Sequence, residues 1–571
     1  MRARLLLASL LVSTVALAAA CGEETVSPVG GGEYRATVRM TSHGIPHIIA
    51  DDYPSIAFGL AYVSAPEIVC VLADQIVEAR SERAKLFGPG ENDANVENDF
   101  AMRALRVYAN AEAGLAKISP EARAALEGYA AGYNQYLAEV GPSGLPATCR
   151  DATWVRPITS TDLLAHYLSL SLLASAQPFL GYLTNAQPPG AMATSGSSRP
   201  FPNYRDLGIG SNGWAIGKER SQGGRAMLLA NPHFPWEGEL RVSAIPLTIP
   251  GELGVPVINL CFNEHVAWTH TVTPASHFAV YRLTLAPNDP LSYAYDGEVR
   301  PITSEEHSVE VLRPDGTLET RSRGFYRSHY GPMIAGPALF WTADTAFTFR
   351  DANDNNLALV DQWYFMNRAK SVEDLAAIEA QHQGIPWVFT MATADHGTAM
   401  LRDGSRVPRL SSEAEAAYRT ALATDGLTAG LKANGAILLD GSSSLFEWVD
   451  EGNGGIWPVE LAPRVARTDF AMNANDPPWM ANPDAVVPEY SVFFGDYRAP
   501  LSPRTRMNLK TLTEGGDSGA SGADRLFSFE ELRAAALSNR SIMAELLLSD
   551  LVVRTQGAGV VEIDGAMVDV S

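Results

Sequence analysis

Lysine and arginine are scarce and scattered: 43 of them stand against 65 aspartates and glutamates, a net charge of −22 over 571 residues, and no basic cluster interrupts the acidic background. That balance excludes a nucleic-acid partner, because phosphate recognition needs a concentrated positive face. Cysteine is scarcer still. The four residues, Cys21, Cys70, Cys149 and Cys261, include no CxxC spacing, so a zinc site has no support. The close histidine pair of "HGIPH", His43 and His47, is separated by Gly-Ile-Pro, which will not hold a helix, and both are read as structural. "DANDNN" at 351 to 356 has the look of a calcium loop but lacks its turn glycine and terminal glutamate. No metal and no other cofactor is expected.

The first 21 residues, "MRARLLLASLLVSTVALAAAC", hold two arginines, an apolar stretch too short for a well-anchored membrane span, and small residues, which reads as a secretory signal. Two fates compete for it: cleavage at an A-x-A type site before Cys21, or lipoprotein processing that acylates Cys21, although "LAAAC" has its leucine one place too early. Residues 22 to 33 read as a tether. The protein is expected to be exported to the periplasm or cell envelope, touching a membrane only through a lipid on Cys21. In such a compartment two cysteines are expected to pair. Cys70 with Cys149 is the expectation, since both precede Ser211, while pairings through Cys261 stay open.

With 46% apolar residues the chain can bury at least one large core. Residues 34 to 50 alternate like strands around a Gly-Pro turn, and 54 to 190 then follow helical periodicity, as in "APEIVCVLADQIVEARSERAKLFG". Residues 191 to 210, "AMATSGSSRPFPNYRDLGIG", have almost no apolar periodicity and much Ser, Gly, Pro and Asn, the mark of an exposed, cleavable linker. From 211 to about 350 short strand-like runs prevail, among them "SNGWAIG", "RAMLLA", "VPVINLCF", "VAWTHTV" and "FAVYRLTL". Later helices are expected at 370 to 381 and 527 to 547.

The stretch "GSNGWAIGKERSQGGRAMLLANPHF" reads as a hairpin. A turn centred near Gln222 sets Ser211 directly opposite His233, and opposed side chains have Cβ atoms about 5 Å apart. A serine hydroxyl is a weak nucleophile until a base takes its proton. Were the chain cut between Gly210 and Ser211, the new α-amino group, with a pKa of roughly 7.7 to 8.0, would be such a base near neutral pH. Gly210 would let the backbone rotate for the N-to-O acyl shift that makes the cut.

"GSNGWAIG", "LLANPHF", "AWTHTV" and "MNANDPPW", in this order and spacing, resemble the penicillin acylase family of N-terminal nucleophile (Ntn) hydrolases, and within it the aculeacin and acyl-homoserine-lactone acylases. The likeness runs from about Tyr34 to near residue 550 and includes "GIPHIIADDYPSIAFGLAYVSAPE" and "RSERAKLFGP". It implies an α+β, four-layer αββα fold, made as one precursor that cuts itself into a helical α chain (34 to 190) and a β chain from 211 to 571. It also implies roles. Ser211 matches the nucleophile and His233 the histidine that holds the serine hydroxyl. Val272 matches the backbone N–H donor to the oxyanion, and Asn475 the side-chain donor, with Asn473 as the alternative. Arg504 matches the arginine that steadies this asparagine and the amine, with Arg498 close enough to be confused with it. "TVTPASH" has no carboxylate where some penicillin acylases bind calcium.

Phe234 is a candidate wall of an acyl pocket, because an apolar chain needs an apolar slot beside the nucleophile; Trp268 and Trp387 are read as core aromatics. "GDSG" around Ser518 resembles the nucleophile segment of chymotrypsin-like proteases but lies in a Gly-rich connector. Members of the family usually continue past "GVVEIDGAMVDVS", so a C-terminally truncated β chain with exposed apolar surface is expected. The expected activity is hydrolysis of the acyl amide of N-acylated small molecules: acyl-homoserine lactones, acylated lipopeptides or β-lactams, in that order. A conventional hydrolase built on Ser518 and an unprocessed envelope protein that binds acylated ligands without cleaving them are the alternatives.

Overall fold

The computed structural model describes residues 25–30, 32–42, 44–190, 208–235, 247–248, 259–394, 396–555, 560–563 and 566–569. Cys21, His43 and the linker up to residue 207 lie outside the described residues.

The first block opens with antiparallel strands β1 (Thr25–Val29), β2 (Ala36–Met40) and β3 (Pro46–Ile49), and β3 pairs in parallel with Leu247–Thr248, which follows the hairpin in sequence. His47 lies in β3 opposite Arg39. Helix α1 (Tyr53–Ala79) starts where Asp52 accepts the Ser55 N–H at 2.7 Å and Pro54 occupies the first turn, both favourable helix starts. It packs along α2 (Pro120–Gly144) at very short range: a Cβ added at Gly128 or Gly132 would lie 2.1 Å from the carbonyl oxygens of Pro54 and Phe58. Among the described residues α1 is the one helix long and apolar enough to cross a membrane, yet half of its apolar window is buried in this core, where Ala65, Val69 and Ile76 meet Leu126 and Tyr133. Cys70 and Cys149 are joined in a disulfide, Cα to Cα 5.6 Å, which ties α1 to the segment after α2; Cys261 is free. Helix α3 (Ser160–Ser171), with a Thr159/Asp162 capping box, leads toward the site.

Two antiparallel sheets hold the site. The first has the order β10 (Phe470–Asn473), β4 (Gly210–Ile216), β5 (Met227–His233). The second has five strands, with β6 (Val266–Val272), β8 (Val388–Ala394) and β9 (Ala399–Arg402) at its centre and Cys261–Phe262 and Arg464–Arg467 at its edges. A further sheet is built on β7 (Phe278–Ala286), whose Phe278 and Val280 share one core with the helical block. Successive side chains of β4 alternate between faces. Ala215 packs with Phe389 and Met391 of β8, and an added Cβ at Gly213 would lie 2.4 Å from Met391 Sδ, so this face lies against the five-stranded sheet. Trp214 and Ile216 point the other way, onto Leu512 of α6 (Pro503–Thr513) and Leu532 of α7 (Phe529–Ala536). Beyond the five-stranded sheet, Trp268 and Val388 meet Leu359 and Trp363 of α4 (Ala358–Met366) and Leu375 of α5 (Val372–His382).

Four expectations need correction. Residues 22 to 33, expected as a tether, contain β1, whose Thr25–Val29 pair along β2. The β4–β5 register pairs Ser211 with Pro232 and Gly210 with His233, one residue from the alignment that a turn at Gln222 would give. The connection is anchored elsewhere: Gly217 N–H donates to Asp469, Lys218 N–H to Gly397 and Gln222 N–H to Phe527, so its midpoint does not set the pairing. A one-residue offset moves a side chain to the opposite face. The helical stretch at 527 to 547 is two helices, α7 and α8 (Ile542–Thr555). "VPVINLCF" keeps only Cys261–Phe262 as a strand among its described residues. Leu537 at the C-terminal end of α7 and Met543, Leu546, Leu547 and Leu548 along α8 are exposed.

Candidate active site

Ser211 sits at the start of β4 with 1% of its surface exposed, and the chain runs unbroken through Gly210 into it. Its hydroxyl donates to the Gly210 carbonyl at 2.6 Å, and its N–H donates to Asn475 Oδ1 at 2.7 Å. Asn475 follows β10 in a left-handed conformation (φ 71°), which asparagine tolerates well, and its N–H is fixed by Asn473 Oδ1 at 2.7 Å. Its Nδ2 donates to the Val272 carbonyl at 2.8 Å. That bond also orients the Val272 N–H. In the β6–β8 ladder Thr273 N–H donates to Trp387 O, so the alternation turns both the N–H and the C=O of Val272 away from β8, toward Asn475. The two expected oxyanion donors therefore share one edge, beside Ser211.

Between the alternatives the geometry discriminates. Asn473 accepts Thr271 Oγ1 at 2.8 Å and donates to Asp476 O at 3.0 Å, which shapes the loop beneath Asn475. Arg504, in the first turn of α6, donates through Nη2 to Asn475 Oδ1 (2.7 Å) and through Nη1 to the Ser211 carbonyl and to Asn212 Oδ1 (3.1 Å). Burial pulls this guanidinium below its ordinary value, and the Asp476 carboxylate acts the other way. Arg498 instead lies exposed over the ring of Tyr497.

His233 departs from its expected place. With the register corrected it shares the helix-facing side of the hairpin with Asn231 and Asn212, opposite the side of Ser211, and does not hold the serine hydroxyl, which is bonded to Gly210 O. Its Nε2 lies 3.0 Å from Asn231 Oδ1. The orientation of this group follows from Arg504, which can only donate: Asn212 Oδ1 faces Arg504, so Asn212 Nδ2 donates to Asn231 Oδ1 (3.0 Å), and the neutral His233 ring must donate to the same oxygen through Nε2. Its Nδ1 is left as an acceptor. Partial burial and the Arg504 charge both hold the His233 pKa below its usual value. Gly210 needs no special backbone angle, since it is not among the positive-φ residues; it needs space, because an added Cβ would lie 3.0 Å from Asn475 Oδ1.

On the face carrying Ser211 lies an apolar cavity of about 170 Å³, walled by Phe234, Tyr167, Leu359, Trp363, Trp387 and His270. Trp387 is thus a pocket wall as well as a buried aromatic, correcting its reading as core alone; its Nε1 donates to Leu170 O at 3.1 Å. Trp268 is core, with Nε1 donating to Asn259 O at 3.0 Å. His270 was not singled out from the sequence. Its Nδ1 donates to Phe389 O (2.9 Å) while Nε2 accepts Trp363 Nε1–H (3.0 Å), and burial lowers its pKa to about 4, so it is neutral near pH 7. Its two-residue spacing from Val272 was the available signal. Ser518 is exposed in a turn between α6 and α7, apart from these groups, and in "DANDNN" Asn353 and Asn356 are spent on Pro386 O (3.1 Å) and Gly384 O (2.7 Å). Among the described residues no group of three His, Cys, Asp or Glu could hold a metal ion.

A buried serine at a strand start, a side-chain amide and a strand-edge residue converging beside it, and an apolar slot on its side are the parts that an acyl-transfer site needs. Residues 35–568 match the penicillin amidase family model, and the chain belongs to that family of amide-hydrolysing acylases. It is 36% identical over 544 residues to the acyl-homoserine lactone acylase PvdQ of Pseudomonas putida, covering 92% of this chain and 68% of that one. To the aculeacin-A acylase of Actinoplanes utahensis it is 34% identical over 587 residues, covering 95% of this chain and 72% of the relative. Thermostable penicillin G acylase from Alcaligenes faecalis aligns with 48% of this chain and 45% of its own, at 17% identity and a TM-score of 0.37.

Proposed function

We propose that this chain is an exported, self-processing acylase that releases the acyl group of N-acylated small molecules through an ester on Ser211, with acyl-homoserine lactones preferred over acylated lipopeptides and β-lactam side chains. The observation that carries it is the convergence of Asn475 Oδ1 on the Ser211 nitrogen, with the apolar cavity on the serine's side of the strand. The precursor cuts between Gly210 and Ser211, residues 191 to 210 leave as a spacer, and two chains stay together. The helices and sheets that pack on either face of β4 support reading the core as the four-layer αββα arrangement. Export rests on the leader-like first 21 residues and on the Cys70–Cys149 disulfide; acylation of Cys21 is the form of that proposal that would anchor it.

In the cut protein the free α-amine of Ser211 takes the proton of Oγ as Oγ attacks the acyl carbon. The negative charge moves to the former carbonyl oxygen, which the Val272 N–H and Asn475 Nδ2 stabilise. The C–N bond breaks as the amine returns the proton to the leaving nitrogen. Water then attacks the ester by the same route, releasing the carboxylic acid and restoring Oγ–H.

Intact mass and N-terminal sequencing of the purified protein beside Ser211→Ala test this reading. Two chains, one beginning Ser-Asn-Gly-Trp and absent from the variant, are expected, together with hydrolysis of N-acyl-homoserine lactones. A single uncut chain that retains acyl ligands would instead leave a binding protein without catalysis.

A further inference from the structure

We infer that the space filled by Gly210 in the uncut chain becomes, once Gly210 has left, the seat of the substrate's leaving amine, with His233 Nδ1 accepting its N–H and Arg504 facing a carbonyl beside it. This rests on the acylase reading given above. A Cβ placed on Gly210 would have three polar neighbours: Asn475 Oδ1 at 3.0 Å, Arg504 Nη2 at 3.4 Å and His233 Nδ1 at 3.7 Å. While the peptide bond is intact, glycine occupies this space without crowding Asn475.

The chemistry of the reaction then fixes what replaces it. The leaving nitrogen must receive its proton from the Ser211 nitrogen, so it has to come within hydrogen-bond reach of that atom. One side of the Ser211 nitrogen is taken by Asn475 Oδ1, and the Gly210 carbon is bonded to the nitrogen directly. Removing Gly210 opens room next to the nitrogen on the side away from the apolar cavity, since His233 and Arg504 belong to the opposite face of the hairpin. The acyl chain and the amine thus leave Ser211 in opposite directions.

The walls of the slot select the amine. Arg504 fixes Asn212, Asn212 fixes Asn231, and Asn231 holds the hydrogen on His233 Nε2, so the lone pair on Nδ1 faces the slot. It can accept the amide N–H of the substrate while the nitrogen lone pair takes the proton from Ser211. As the C–N bond breaks, that hydrogen stays on nitrogen and the product is the neutral amine. Across the slot the guanidinium favours an acceptor oxygen. An amine with a carbonyl on the neighbouring carbon, as in a lactone or an amino-acid derivative, satisfies both walls; a plain alkyl amine satisfies one.

The test is calorimetric titration of L-homoserine lactone and of cyclopentylamine, which lacks the carbonyl, into the processed enzyme, into uncut Ser211→Ala, and into processed His233→Leu. A fatty-acid series from octanoate to tetradecanoate, titrated into all three, reports the acyl cavity and shows that each variant is folded. The lactone is expected to bind the processed enzyme, and to bind uncut Ser211→Ala or His233→Leu about tenfold more weakly or worse, as is cyclopentylamine to the processed enzyme, while the fatty acid binds all three alike. Equal binding of the lactone to cut and uncut protein, or no preference over cyclopentylamine in an enzyme that hydrolyses N-acyl amides, overturns the inference. A processed protein that hydrolyses no N-acyl amide fails the acylase reading itself and takes this inference with it.

Discussion

Asn475 Oδ1 lies 2.7 Å from the Ser211 nitrogen and 2.7 Å from Arg504 Nη2, joining the start of one strand to a loop 264 residues later and to a helix beyond it. Asn475→Ala removes both bonds and the proposed side-chain donor to the oxyanion. In the processed enzyme kcat is expected to fall by about a hundred- to a thousandfold with KM little changed, the signature of an interaction made in the transition state. Asn473→Ala, which touches Thr271 and Asp476 instead, is expected to lower the unfolding midpoint with a smaller loss of kcat. Steady-state kinetics and denaturant curves on both variants decide it: equal kinetic losses would mean the two asparagines share the role.

How much of this was readable beforehand differs by element. That Ser211, Asn475 and Arg504 meet was legible because each sits in a motif that the family resemblance singles out. The choice between Asn475 and Asn473 was not, since one left-handed turn decides which amide reaches Ser211. His233 was placed at the right end of the right hairpin and on the wrong face, because loop anchors at Asp469, Gly397 and Phe527, far away in sequence, set the register. The cavity walls were the least legible. Tyr167 and Trp363 come from two helices and Trp387 from the bend just before β8, where local patterns say only that they are buried, and their convergence depends on tertiary packing.

Trp387 walls the apolar cavity proposed to hold the acyl chain, together with Trp363 and Phe234. Trp387→Phe shortens one wall while keeping an aromatic ring, so a longer chain should fit. Each further methylene buried contributes about 0.8 kcal/mol, roughly fourfold in affinity. The preferred acyl length is therefore expected to rise by about one or two carbons, read as kcat/KM across a series of acyl chains on one amine. An unchanged optimum would show that the chain lies along another wall.

The Cys70–Cys149 disulfide closes a loop with a sequence separation of 79, between the longest helix and the segment after its partner. In the chain-entropy account a loop of that size is worth up to about 4.5 kcal/mol, and measured losses run about 2–5 kcal/mol. Cys70→Ser with Cys149→Ser is expected to lower stability by about that range in denaturant unfolding, and reductant should bring the native protein to the same midpoint. Cys261 will not rescue it by exchange, because burial pushes its thiol pKa up to about 11 and so keeps it protonated. A midpoint insensitive to both treatments would show that the bond does not constrain folding.

His270 makes an acid-sensitive contribution that can be isolated. Burial holds its folded pKa at about 4, below the ordinary value of about 6.5, although its bond to Phe389 O acts in the opposite direction. Between those values the unfolded chain binds a proton that the folded protein refuses, so the stability present above pH 6.5 is lost as the pH falls toward 4. Glutamine can donate to Phe389 O and accept from Trp363 Nε1 without titrating, so His270→Gln keeps both contacts and removes the linkage. Going from pH 7 to pH 5, the native protein is expected to lose about 2 kcal/mol more than the variant. His166 and His277, each lowered by burial to about 4, remain in both proteins, as do Asp351 and Asp403, which burial raises to about 7 and about 6 and whose effect on stability has the opposite sign. The difference between the two proteins therefore isolates His270. Parallel stability curves across that range would mean that the imidazole is protonated in the folded state, with a charge standing in the wall of the acyl cavity.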